Sequence, residues 1–159
     1  MNKKRVGGVY VVEFAIIGLL LFIMLFGMLE MGRLLFTVNA LTESVRRGAR
    51  LASVCYVMHS DVRRRPVFAE VSESLSPLIN NLDYDDVVVR YLDANGVVVA
   101  LPTGAGYSLI RFVEVSITGF QMNLLIPVVG GPITLQTFRS VLPRESLGRY
   151  PQGTEITPC

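Results

Sequence analysis

A glycine pair, a lone carboxylate and the phenylalanine after it carry the clearest chemical suggestion in this chain of 159 residues. Gly7 and Gly8 follow a short basic stretch, Lys3-Lys4-Arg5, and precede an apolar run from Val9 to Leu29 that one acid, Glu13, interrupts. The chemistry this pattern offers is hydrolysis of a single peptide bond. A cut between Gly8 and Val9 would give Val9 a free α-amine, one helical turn from Glu13. Such an amine has an ordinary pKa of about 7.7–8.0 and is largely charged at neutral pH. A carboxylate at the centre of a spanning helix costs about 2.5–3.5 kcal/mol on insertion scales. Glu13 lies nearer one end, so it costs less, yet in a low-dielectric layer it still gains from a cationic partner. The amine of its own subunit or of a neighbour would be that partner.

Other constellations that could do chemistry are missing from the sequence. His59 is the one histidine and stands in a polar stretch, as surface histidines do. No G-x-S-x-G, P-loop, H-E-x-x-H or C-x-x-C occurs. Asp83, Asp85, Asp86 and the run Asp93-Ala94-Asn95-Gly96 do not have EF-hand spacing. Turn formation accounts for the run and a solvated loop for the other three. No enzyme, cofactor or metal site is expected. Cys55 and Cys159 suit an exported domain with one disulfide; two unpaired thiols is the other reading. A bridge would tie the tail to the end of the first helix, with a typical gain of ~2–4 kcal/mol.

These groups need a scaffold, and residues 9–55 supply it as one continuous helix, because the first proline of the chain is Pro66. The overall mean hydropathy of +0.48 owes much to the first 36 residues, so the rest reads as an ordinary globular segment. Val9–Leu29 is apolar on every side, as a lipid-embedded helix should be. It exceeds the roughly 7–15 residues of a signal-peptide core and is long enough to span a bilayer. The second half of the helix, with 37–55 as its amphipathic continuation, carries Leu34, Val38, Leu41, Val45, Ala49, Ala52 and Cys55 at spacings of three and four. Glu43 can meet Arg46 or Arg47 on the surface. At ~1.5 Å per residue the helix would be ~70 Å long, so its second half must emerge and pack against something. Gly18, Gly27 and Gly32 weaken a helix in water by ~1 kcal/mol each but permit close helix approach in lipid.

Lys3, Lys4 and Arg5 place the N-terminus inside and the domain outside. Arg46, Arg47 and Arg50 lie within about 20 residues of the other end of the run and count against that orientation, but an outside domain remains the expectation. Without residues 1–8 the chain has no lysine and a nearly balanced charge, which does not suit a nucleic-acid binder.

The remaining residues, 56–159, read as an α+β domain. Tyr56–Arg65 is expected as a linker with Arg63-Arg64-Arg65 solvated. Pro66 is expected to open a shorter helix with Val67, Phe68, Val71, Leu75, Leu78 and Ile79 as its stripe and Pro77 near its end. Val87–Leu92 reads as a strand, Asn95-Gly96 as a two-residue hairpin turn, and Val97–Leu101 as the return strand. Leu109–Thr118 alternates as another strand. A loop holds Pro127, Gly130, Gly131 and Pro132, and Ile133–Leu142 is the last strand. The expected architecture is a long N-terminal helix packed on a small antiparallel sheet of three or four strands, ending in a polar tail from residue 143.

The N-terminal motifs resemble the TadE-like minor pilins (pseudopilins) of tight-adherence, or Flp, pilus systems. The likeness rests on Gly8 before the cut, Glu13-Phe14 after it, Glu30-Met31-Gly32-Arg33 as an E-x-G-R motif, and Gly48-Ala49-Arg50. Phe112–Thr118, the Pro127 loop and Pro143-Arg144-Glu145 are similar less specifically. The resemblance implies a leader at residues 1–8 removed by a prepilin peptidase, and an assembly helix at 9–36. It further implies partnership with other major and minor pilins and an inner-membrane assembly platform. The subunit would sit in the lipid bilayer of a bacterial inner membrane and then in the pilus, acting at initiation or at the tip. A permanently anchored single-span binding or sensor module is the alternative. TadF, a close relative, would share the processing motif.

Overall fold

The long helix forms because nothing in its sequence stops it. α1 runs unbroken from Gly7 to Val54 over 48 residues, about 72 Å at the helical rise. This computed structural model describes residues 7–69, 75–125, 131–150, 156 and 159. The basic leader residues, Val71, the Pro127–Gly130 part of the loop and residues 151–155, 157 and 158 of the tail therefore lie outside the described residues. From Val9 to Leu29 every large apolar side chain of α1 is exposed. From Leu41 onward the stripe is buried: Leu41, Val45, Ala49, Ala52 and Cys55 are nearly inaccessible, with Leu34 and Val38 packed at its margin. Burying a Leu or Val of this kind contributes about 1.5–3 kcal/mol.

What covers that stripe is a three-stranded antiparallel sheet in the order β1-β2-β5. β1 is Val87–Leu92, β2 Phe112–Ile117 and β5 Phe138–Pro143. Opposed residues share a face, so Val87, Ile117 and Phe138 align, as do Val89, Val115 and Ser140, and Tyr91, Val113 and Leu142. That apolar face meets α1. The other face carries Glu114 between Arg90 (3.2 Å) and Arg139 (3.5 Å). A separate pair, β3 (Gln121–Met122) and β4 (Ile133–Thr134), closes the lower end. The molecule is thus α+β, with the long helix laid across a small antiparallel sheet.

Several local expectations fail for identifiable reasons. The expected last strand, Ile133–Leu142, is split into β4 and β5, which belong to different sheets. No helix starts at Pro66: the short helix α2, Asp61–Arg64, precedes it, and a 3-10 turn at Arg65–Val67 ends where Phe68 takes φ 63°. Leu75 instead bridges Asp83, and Leu75 and Leu78 are exposed while Val67 and Ile79 are buried. The hairpin turn is present, with Asp93 Oδ1 accepting from the Asn95 and Val97 amides and Gly96 at φ 79°. Its return arm, however, makes only the Leu92–Val98 bridge rather than a strand. The charged groups expected to be solvated do lie at the surface, and they pair there. Asp83 and Asp86 cap the turn Tyr84–Asp86, and Arg63 holds Asp85 (3.0 Å) and the Val87 carbonyl (3.1 Å). Arg65 donates to Asp61 and to the Cys159 carbonyl.

Candidate functional site: the long helix and its junction with the domain

The first half of α1 offers a bare apolar cylinder with one acid. Gly8, Val9, Val12, Glu13 and Ile16 line one face of it, so the Gly8–Val9 bond and Glu13 lie on the same side, as a spacing of four dictates. An 18-residue window within Gly8–Val54 reaches a mean hydropathy of 2.7 with none of it buried. By length and composition this is a candidate membrane span.

The E-x-G-R motif marks where the bare half ends. Glu30 Oε1 accepts from Arg33 at 2.8 Å, a pairing one turn apart. Its other oxygen, Oε2, accepts from the backbone amide of Leu125 at 3.3 Å, so the motif also joins helix to domain. Gly32 has open space around it. Just beyond lies a groove of about 380 Å³, where Gly32, Arg33, Phe36 and Thr37 of α1 meet Leu78, Ile79, Phe120 and Met122 of the domain.

Farther along, Gly48 is the close-approach point. A β-carbon there would stand 2.9 Å from Val115 and 3.0 Å from Pro66, so the absence of a side chain lets helix, sheet and turn meet. Beside it Ser44 donates to the Pro66 carbonyl at 2.9 Å. Ala49 is buried and Arg50 points to solvent. Glu43 pairs with Arg47, not Arg46, and Arg47 lies over the Phe68 ring.

The far end of α1 is closed by part of the segment expected as a polar tail. A helix leaves its last carbonyls without partners. Here Glu145 and Leu147 donate their amides to Ser53, and Gly148 and the Ser146 hydroxyl donate to Val54. Leu147 is buried. Gly148 sits at φ 71° with a β-carbon position 2.6 Å from the Tyr56 amide, so glycine is required there on both counts. Cys55 and Cys159 are joined in a disulfide, fixing the chain end against the same helix terminus. Nearby, the Tyr91 hydroxyl accepts from the Met58 amide at 3.0 Å. Burial raises the pKa of this phenol, and that hydrogen bond offsets part of the rise.

The structure therefore brings Glu30, Gly32 and Arg33 to one junction and Cys55 and Cys159 to another, while Gly8, Val9, Glu13 and Phe14 stay together on the free half. Leu125, Phe120, Met122 and Gly148 have junction roles that sequence reasoning did not assign. Gly148 after Leu147 carried a usable signal, since glycine is the common residue for a left-handed turn. Leu125 carried none, because it contributes through its backbone.

A candidate single-span helix continuous with an α+β domain is the class these features define. A family model described as TadE-like protein matches residues 8–50. The match spans the bare half and most of the docked half of α1. No curated protein and no solved structure matches the chain.

Proposed function

We propose that this chain is a minor pilin, or pseudopilin, of a tight-adherence pilus, processed by a prepilin peptidase between Gly8 and Val9. The observation that carries the reading is the bare first half of α1, which holds Glu13 one turn from Val9 on the same face inside the TadE-like match. A buried charge needs a partner, and the new α-amine of the same or an adjacent subunit is the nearest cation that processing would create. The helix would rest first in the inner membrane, with its basic leader cytoplasmic and the domain outside. It would then pack against other pilins at an assembly platform, at initiation or at the tip. The contact of the bare half is thus first lipid and then neighbouring helices. Catalysis has no part in this role.

Intact mass of the membrane-embedded protein, with and without the peptidase, tests the processing step. Amine labelling sharpens it, because a chain beginning at Val9 has no lysine and a single primary amine. A peptidase-dependent start at Val9 is expected. A retained Met1–Gly8 would overturn the reading in favour of a permanently anchored module. Glu13→Val is expected to leave membrane insertion unchanged and to abolish most assembled product; wild-type assembly would remove the role given to Glu13.

A further inference from the structure

The level at which the domain meets α1 can be set against the thickness of a bilayer. Val9–Leu29 spans about 31 Å at the helical rise, against a hydrocarbon core of ~30 Å. If that run fills the core, Glu30 stands at its outer boundary with no spare length. The headgroup layer adds roughly 5–7 Å on each side, which covers Glu30 to Arg33. The domain does not begin above this layer. Its chain descends along α1, from the Glu145–Ser53 contact through Val115 at Gly48 and Phe120 in the groove to Leu125 bonded to Glu30.

We infer that the base of the domain is a second membrane contact, in which Leu125, held at the level of Glu30, rests in the outer-leaflet interface, with Leu78 and Phe36 at its outer edge beside the groove at Gly32–Thr37. Each of these side chains is exposed by more than half, although Leu78 and Phe36 line a groove whose floor, Ile79, Phe120 and Met122, is almost fully buried. Apolar side chains beside a membrane span gain by entering the acyl–headgroup boundary. Arg33, at the groove mouth and partly exposed, suits the phosphate level. The Glu30–Leu125 hydrogen bond is the pin that holds this base down. The other exposed apolar cluster, Val97, Val98, Leu101 and Leu109, lies at the opposite end of the sheet, near Ser53. That is some 35 Å farther along the helix, and nothing shows what covers it.

The contact rests on α1 being a span, not on processing or filament formation, so the two readings fail separately. The chain has no tryptophan, which makes single-tryptophan reporters clean. Full-length Leu125→Trp, Leu78→Trp and Val98→Trp variants would be reconstituted in phosphatidylethanolamine/phosphatidylglycerol vesicles containing lipids with a nitroxide at the headgroup or along the chain. All three sites are exposed, so folding should survive, and a circular-dichroism spectrum matching wild type checks it. The expected result is several-fold stronger headgroup-nitroxide quenching for Leu125→Trp and Leu78→Trp than for Val98→Trp, with the reverse order for aqueous acrylamide. Adding Glu30→Ala to Leu125→Trp should weaken the lipid quenching while the span stays inserted. Equal lipid quenching at all three sites would mean a domain lying on its side and would overturn the inference. So would acrylamide quenching of Leu125→Trp equal to that of Val98→Trp. Protection of Leu125→Trp only after other pilus subunits are added would assign the base to a protein neighbour instead.

Discussion

The two halves of α1 share one backbone and differ in everything that surrounds it. Between Val9 and Leu29 the large apolar side chains stand exposed on all sides; between Leu41 and Val54 one stripe is sealed by a sheet. The glycines record the same division. A β-carbon at Gly18, Gly27 or Gly32 would meet nothing, whereas at Gly48 it would press on Val115 and Pro66. A helix uniform in apolar character needs a uniform apolar solvent. A helix with a stripe needs a partner shaped to that stripe. One helix thus has a bare half and a docked half, and the change between them falls just beyond the Glu30–Arg33 pair.

The comparison can be sharpened most strongly at the chain end. The disulfide closes a separation of 104 residues, and links of this kind contribute about 2–4 kcal/mol. Cys159→Ser is expected to lower domain stability by about that amount, read by urea unfolding in detergent. The helicity of the bare half, followed by amide exchange of Val9–Leu29, should not change. Loss of protection in both halves together would show one cooperative unit and would break the division.

A paired substitution probes the glycines. Gly48→Leu adds four carbons where even the first has no room, an overpacking cost toward the upper end of about 1–3 kcal/mol. Gly27→Leu meets open space and gains up to ~1 kcal/mol of helix propensity. Thermal unfolding of the two variants in the same detergent should therefore move in opposite directions. If Gly27→Leu is stable yet fails to assemble, the open face at Gly27 is occupied in the filament. Matching destabilisation by both would show that the bare half has a partner within the subunit.

Much of this division was readable from residue order, and the reasons differ by element. α1 was legible because its apolar pattern is long and then changes to spacings of three and four. β1 and the core of β2 were legible because β-branched residues crowd into Val87–Leu92 and Phe112–Ile117. Pro66 as a helix start misled, because the 3-10 turn at Arg65–Val67 ends at Phe68 with φ 63°, a conformation that nothing in a phenylalanine marks. β3 and β4 have two residues each, too few to show alternation. The docking of Glu145–Gly148 was invisible because its acceptors are helix-end carbonyls, which every helix has. Within the candidate site, the E-x-G-R motif was legible through family likeness, but its bond to the Leu125 amide was not.

The smallest effect expected concerns pH and belongs to the docked half alone. Tyr91, on β1, is buried, and burial raises its pKa above the ordinary value of 10.0. The folded state then holds the phenol proton more tightly than the unfolded state does. By linkage, that contribution to stability is fully present below about pH 10 and is lost as pH rises through the raised folded-state value. Urea midpoints measured across alkaline pH should therefore fall more steeply for wild type than for Tyr91→Phe. At neutral pH the variant should be less stable by about 1 kcal/mol, the usual net worth of a hydrogen bond such as the one from Met58. Parallel curves would mean that Tyr91 ionises as freely in the folded domain as in the unfolded chain, and that the sheet seals this side of the core less well than it seals Leu41–Ala52.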